Sequence, residues 1–252
     1  MIFSKIEGTG IPFVIIHGYL GMSDNWKSFG THLAEKGYEV HLLDMRNHGR
    51  SFHSTAFTYE AMVADVEEYF KANAIAEAIV MGHSMGGKVA MNFATQHPQY
   101  VSKLIVVDIS PKYYPPHHQD ILEALNAVDF TTKPSRSDVE AILTPFIPDA
   151  STRLFLMKNL YWKEPGQLAF RFNLEAFNND PEAVGEALAE DAIFEGPVLF
   201  IKGGRSGYIK EGDVDLIQRH FPKAQIVTIG DAGHWVHAES PEEFQQRVIE
   251  FL

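Results

Sequence analysis

The chain has 252 residues, of which 45% are hydrophobic and 21% charged, and its formal charge is -12. That length suits one sizeable core, and the acidic balance, spread along the chain as a solvated surface, argues against a nucleic-acid partner. With no cysteine, disulfides and thiolate metal sites are excluded.

The first residues, MIFSKIEGTG, lack the charged start and apolar run of a signal peptide. No stretch approaches the roughly 18 apolar residues of a membrane span. The expectation is a cytoplasmic protein with no stable membrane association.

In chain order, short apolar runs at 12–18, 38–45, 76–82, 103–110, 197–204 and 224–231 read as strands. Runs of four to six apolar residues bounded by turn signals suit strands buried on both faces of a parallel sheet. Amphipathic stretches lie between them. Residues 58–73 place Met62, Val63, Val66, Tyr69 and Phe70 on one stripe, with Thr58 as N-cap. Residues 240–252 open with Ser240 as cap and Pro241 at the first helical position. Strand–helix alternation predicts a doubly wound, mostly parallel α/β sheet.

The alternation fails once. From 111 to 192 there are helical stretches such as QDILEALNAV and SDVEAILTPF, and an aromatic-rich LAFRFNLEAF, but no clear buried strand. This predicts a helical cap over 111–192 inserted in a core made of 1–110 and 193–252.

Gly82-His83-Ser84-Met85-Gly86 is a G-x-S-x-G segment between a predicted strand and a predicted helix. That context makes Ser84 the candidate nucleophile, presented on a turn so sharp that its neighbours two residues away must lack side-chain bulk. Gly87 then lets the helix pack close to the sheet. Chemistry at an acyl carbon also needs backbone N–H groups aimed at the developing oxyanion. Met85 supplies one. The strand ending in His17-Gly18 points to Tyr19 for the other, with Leu20 next.

Twelve histidines make any single one uninformative by itself. His234, however, sits on the loop after the last predicted strand, at the sheet edge where doubly wound folds carry their sites, and is the candidate general base. His237 is assigned to packing or capping, and His83 to packing or lining the site. Asp44 is read as the anchor of the Arg46–His48–Gly49 loop.

Together the elbow, His17-Gly18, DMRNHGRS and AGHWVHAE resemble the α/β-hydrolase superfamily over essentially the whole chain, and in detail the small bacterial YbfF-type esterases. Most members of the superfamily carry the catalytic acid in a G-x-x-D loop after the strand that follows the cap. Here that loop reads IKGGRSGYIKEGD, and Ser206 stands where aspartate is expected. Asp213 and Asp215 fall in a predicted helix, and Asp231 is too near His234 in sequence to reach its Nδ1. Asp108, at the end of the strand before the cap, is the remaining candidate. The resemblance agrees, since YbfF-type esterases take the acid from this strand. Ser206 is then expected to support the Asp–His pair.

The expected function is a serine esterase that needs no metal or organic cofactor and uses a Ser84–His234–Asp108 triad with the Tyr19 and Met85 N–H groups as oxyanion hole. The resemblance implies short- to medium-chain acyl esters. An acyl-CoA thioesterase, or a carbon–carbon bond hydrolase or lyase, is the alternative on the same fold. Trp235, Trp162 and Tyr114 are the expected pocket residues. Ser84 in the elbow excludes the aspartate nucleophile of dehalogenases and epoxide hydrolases.

Overall fold

A computed structural model describes residues 1–252. Its nine strands are β1 (Ser4–Glu7), β2 (Ile11–Ile16), β3 (Tyr38–Leu43), β4 (Ala78–His83), β5 (Val101–Val107), β6 (Leu160–Glu164), β7 (Gln167–Phe170), β8 (Val198–Gly203) and β9 (Ala224–Ile229). The first three helices of the core are α1 (Lys27–Ala34), α2 (Tyr59–Ala72) and α3 (Met85–Gln96). Beyond them lie α4 (Gln119–Asn126), α5 (Arg136–Leu143), α6 (Ala150–Met157), α7 (Leu174–Asn179), α8 (Val214–His220), α9 (Val236–Glu239) and α10 (Pro241–Phe251).

Seven strands form one sheet in the order β1-β3-β2-β4-β5-β8-β9, parallel except for β1. Why the apolar runs are continuous is visible in their alternation. Phe13 and Ile15 of β2 face the cluster that holds Trp26, Phe29 and Leu33 beside α1 and Phe244 and Val248 of α10. Val14 and Ile16 face the other way, toward Val66 and Phe70 of α2 and Val89 and Phe93 of α3. A period-2 strand with both faces covered by helices has no polar face to show.

The second cluster does not stop at the core. It runs on into Leu125, Leu143, Leu156 and Phe177 of residues 111–192, so this inserted stretch packs on the sheet side through a shared apolar interior. Polar ties reinforce the joint. The Asn159 amide donates to Leu20 O at 2.9 Å, Tyr59 Oη to Val184 O at 2.8 Å, and Asn173 N–H to Asn47 O at 2.8 Å. Fully buried Lys88 of α3 donates to the carbonyls of Lys112 and Glu186 at 2.5 Å each and of Pro111 at 3.3 Å. All three ammonium protons thereby find carbonyl acceptors at the two ends of the insertion, which offsets part of the cost of burial, although burial still lowers the pKa of the Lys88 ammonium to about 7.

Two features depart from the sequence-based expectation. The stretch is not purely helical: β6 and β7 form an antiparallel hairpin. Its Pro165-Gly166 corner, with Gly166 at φ 79°, is the chemistry of a tight turn. LAFRFNLEAF therefore begins as a strand and only then becomes α7. The edge strand β1 also went unread, because four residues carrying Lys5 and Glu7 make no apolar run.

Chain order places β2 and β4 side by side, with β3 beyond the one and β5 beyond the other. The connections depart in opposite directions from this pair, which opens a crevice at the carboxyl ends of the strands. Ile16 is in register with Gly82, His83 with Val107, and Val107 with Ile201. Consequently Gly18, Ser84, Asp108 and Ser206 all follow strand ends along one edge.

Candidate active site

Ser84 joins β4 to α3 with φ 53° and ψ -120°. A non-glycine residue held there costs roughly 1–3 kcal/mol and persists only where the surroundings over-determine it. They do so here. Ser84 N–H donates to Val107 O of β5 at 3.0 Å, and Ser84 O accepts from Lys88 N–H at 3.1 Å. A Cβ on Gly82 would stand 2.0 Å from Gly86 O, and one on Gly86 would stand 2.3 Å from Ile16 O. The flanking glycines are thus required by backbone packed against backbone.

Asp108, immediately after β5, is fully buried and also has positive φ, at 51°. Its N–H is anchored to Ile201 O at 2.8 Å. Its carboxylate accepts three hydrogen bonds: Gly203 N–H on Oδ1 at 3.0 Å, and Ser206 Oγ at 2.5 Å with His234 Nδ1 at 2.7 Å on Oδ2. A carboxylate only accepts, so Nδ1 of His234 carries a proton, and in the neutral imidazole the free lone pair is on Nε2. Ser84 and His234 line the same cavity. No hydrogen bond joins the Ser84 hydroxyl to the imidazole, a contact that catalytic pairs of this kind tighten when substrate is bound.

Around this pair burial lowers the basicity of several other imidazoles. His83 Nε2–H donates to His234 O at 2.9 Å, and burial, with His234 and His237 nearby, pushes His83 well below the ordinary histidine value. His237 stacks on Trp26 at 3.8 Å and is pushed by burial down to about 3. His17 donates from Nδ1 to Gly18 O at 2.8 Å and accepts Met45 N–H on Nε2 at 3.0 Å. His48 donates to Arg46 O at 2.9 Å.

His48 settles a further point, because its Nε2 accepts the Leu20 N–H at 3.2 Å. The Leu20 N–H is thereby engaged within the protein. Tyr19 N–H has no acceptor, and Met85 N–H is the first of the orphan donors at the start of α3. Asp44 bonds Ser23 N–H at 2.6 Å and Arg50 N–H at 2.8 Å, so it joins two loops beneath the site.

The cavity measures about 270 Å³. Its apolar wall is Trp26, Ile121, Phe155, Leu156 and Trp235, and its polar wall includes Asn25, His117, His118 and Thr152. Of the three expected pocket residues only Trp235 lines it. Trp162 is 59% exposed on the hairpin, outside the cavity. Tyr114 is buried behind the wall, where its hydroxyl accepts Ser110 N–H at 2.9 Å and donates to Tyr208 O at 2.6 Å. Sequence reasoning missed Phe155, His117, His118 and Tyr208. The first lies on an amphipathic helix whose inward face depends on how the cap is seated. Tyr208 is two residues after Ser206, in a loop where no local pattern marks which side chain turns toward His234.

A family model described as the alpha/beta hydrolase fold matches residues 11–241. A zebrafish (Danio rerio) protein named sn-1-specific diacylglycerol lipase ABHD11 is 38% identical over 253 residues, covering 98% of this chain and 80% of its own length. Esterase YbfF of Escherichia coli (strain K12) is 32% identical over 243 residues, covering 96% of this chain and 92% of its own. Among solved structures, a marine microorganism esterase aligns with a TM-score of 0.97 at 38% identity, over 100% of this chain and 99% of its own.

Proposed function

The chain belongs to the α/β-hydrolase fold family as a carboxylic ester hydrolase of YbfF type, and on that premise we propose a serine esterase that works through an acyl-enzyme. The observation that carries this reading is the Asp108–His234 pair at 2.7 Å, opening on the same cavity as the strained Ser84.

Ser84 Oγ attacks the ester carbonyl carbon while His234 Nε2 takes the hydroxyl proton. Asp108 holds the imidazole in the reactive tautomer and stabilises the imidazolium without accepting the proton itself. The carbonyl oxygen, now anionic, rests between the N–H groups of Tyr19 and Met85. Collapse expels the alcohol, which receives the proton from Nε2. Water then gives its proton to His234 and attacks the acyl carbon, releasing the carboxylic acid and restoring Ser84. Ser206 and His83 support the pair from either side, one through the carboxylate and the other through the His234 carbonyl.

The cavity sits at the small end of ligand pockets, which supports a short- to medium-chain acyl group. A diacylglycerol, the substrate in the zebrafish relative's name, would fit this reading only with most of its second chain outside. None of the lining residues is a lysine or arginine that would pair with the phosphates of a CoA thioester, which favours the ester reading.

Initial rates on p-nitrophenyl esters from acetyl to palmitoyl, beside the matching acyl-CoA thioesters, test the proposal. The expected result is turnover that peaks at one short or medium ester and drops by roughly four to six orders of magnitude in kcat for Ser84→Ala. Activity on thioesters alone, or ester turnover indifferent to Ser84→Ala, would overturn it.

A further inference from the structure

Tyr208 touches the site in a way that neither the triad nor the oxyanion hole explains. It follows β8 in the loop that carries Ser206, and its ring lies parallel to the imidazole of His234, with centroids 4.1 Å apart and planes 20° from coplanar. Three hydrogen bonds hold it there. Tyr208 N–H donates to Ser206 Oγ at 3.3 Å, and Tyr208 O accepts from the buried Tyr114 hydroxyl at 2.6 Å. The third partner is His117, whose Nε2 is 2.6 Å from Tyr208 Oη. His117 Nδ1 lies 2.9 Å from Pro115 O, which can only accept, so Nδ1 carries the proton and Nε2 accepts from the phenol.

We propose that Tyr208 is a positioning residue for His234: its ring face orients the imidazole and stabilises the imidazolium formed when Ser84 loses its proton, and the His117 bond couples that support to the cap. The inference rests on the serine-esterase reading. Its physical basis is the negative face of an aromatic ring, which attracts a cation within about 6 Å of its centroid. Neutral imidazole gains little from the same face, so the interaction strengthens as charge develops, which is what assists a chemical step. No other residue performs this task. Asp108 acts along the imidazole edge at Nδ1, His83 lies at 4.7 Å with its ring tilted 42°, and Trp235 is 6.1 Å away at 56°.

Several titratable or charged groups surround His234 besides Tyr208. Asp108 follows β5, His83 ends β4, His118 precedes α4, and His237 lies in α9. Glu239 accepts from the N–H groups of Gly233 and Trp235 on either side of His234, and Arg205 is bonded to Glu239. Substitutions at Tyr208 leave all of these in place.

The test is the pH profile of kcat/KM on one p-nitrophenyl ester for the wild type, Tyr208→Leu and Tyr208→Phe. The acid limb reports the imidazole of the free enzyme. Losing the ring removes support from the imidazolium, so Tyr208→Leu is expected to move that limb about half a pH unit lower. It should also reduce kcat about tenfold, with KM little changed, through loss of orientation. Tyr208→Phe keeps the face and drops only the His117 bond, so its acid limb should stay with the wild type. A Tyr208→Leu limb that does not move overturns the inference, as does a Tyr208→Phe limb that moves as far as that of Tyr208→Leu. If Tyr208→Leu does not fold, Tyr208→Met carries the same comparison without an aromatic face. Wild-type enzyme without Ser84-dependent turnover would instead contradict the esterase reading, a failure distinct from this one.

Discussion

The cavity has two sides built on different terms. On the sheet side the proposed nucleophile and acid are fixed by backbone: Ser84 and Asp108 hold positive φ, and each is tied to a neighbouring strand within 3.0 Å. On the cap side the wall is side chains from α4 and α6, helices whose other faces meet water; Leu154, beside Phe155, is 60% exposed. The first arrangement suits chemistry, which needs reacting atoms held to fractions of an ångström. The second suits selection, because a helix face can change its residues without disturbing a strand end. Lys88 joins the two by holding both ends of the insertion.

If that division is right, substitutions on the sheet side should act on kcat, and those on the cap side on substrate preference. Beyond Ser84→Ala, the largest effect is expected for Asp108→Asn, which leaves folding intact but stabilises the wrong imidazole tautomer and lowers kcat roughly 10⁴-fold. Steady-state kinetics with circular dichroism checks it, and near-normal turnover would place the acid elsewhere. Ser206→Ala removes one of three donors to that carboxylate and should lower kcat only about tenfold. A loss equal to that of Asp108→Asn would make Ser206 a principal member of the machinery.

Phe155→Ala should sharpen the contrast from the other side. Enlarging the cavity is expected to shift kcat/KM by about tenfold between short and longer acyl esters, while kcat on the best substrate changes little. A uniform fall in kcat across the ester series would mean that the cap does more than select.

A further prediction, on stability rather than turnover, concerns acid. His17, His48, His83, His118 and His237 are all depressed by burial, the last two to about 3. Below the ordinary value of 6.5 the unfolded chain binds protons that the folded one refuses, so stability falls as pH drops from there toward about 3. Urea midpoints measured from pH 7.5 to 4 should decline steadily, and a flat series would show these imidazoles protonated in the native state.

The same division explains what could be read from the chain. Strands such as 103–110 announce themselves because both faces are buried, and the elbow because close backbone packing leaves no residue but glycine at 82 and 86. Asp108 was within reach of argument because a residue after a strand end can lie only at the sheet edge, beside its neighbour. The cap was harder. Trp162 and Phe155 are both aromatic, yet one faces water and the other the cavity, and only the seating of the cap decides which. The stack of Tyr208 on His234 joins loops 26 residues apart, as the numbering gives, and no local pattern encodes it.

The most direct test of the account is covalent labelling. Wild type, Ser84→Ala and Asp108→Asn would be treated with an alkyl fluorophosphonate, and the adduct located by peptide mass. One adduct on Ser84, absent from Ser84→Ala and formed far more slowly in Asp108→Asn, is the predicted result. Ester turnover that persists with no adduct, or with the adduct on another residue, would contradict it.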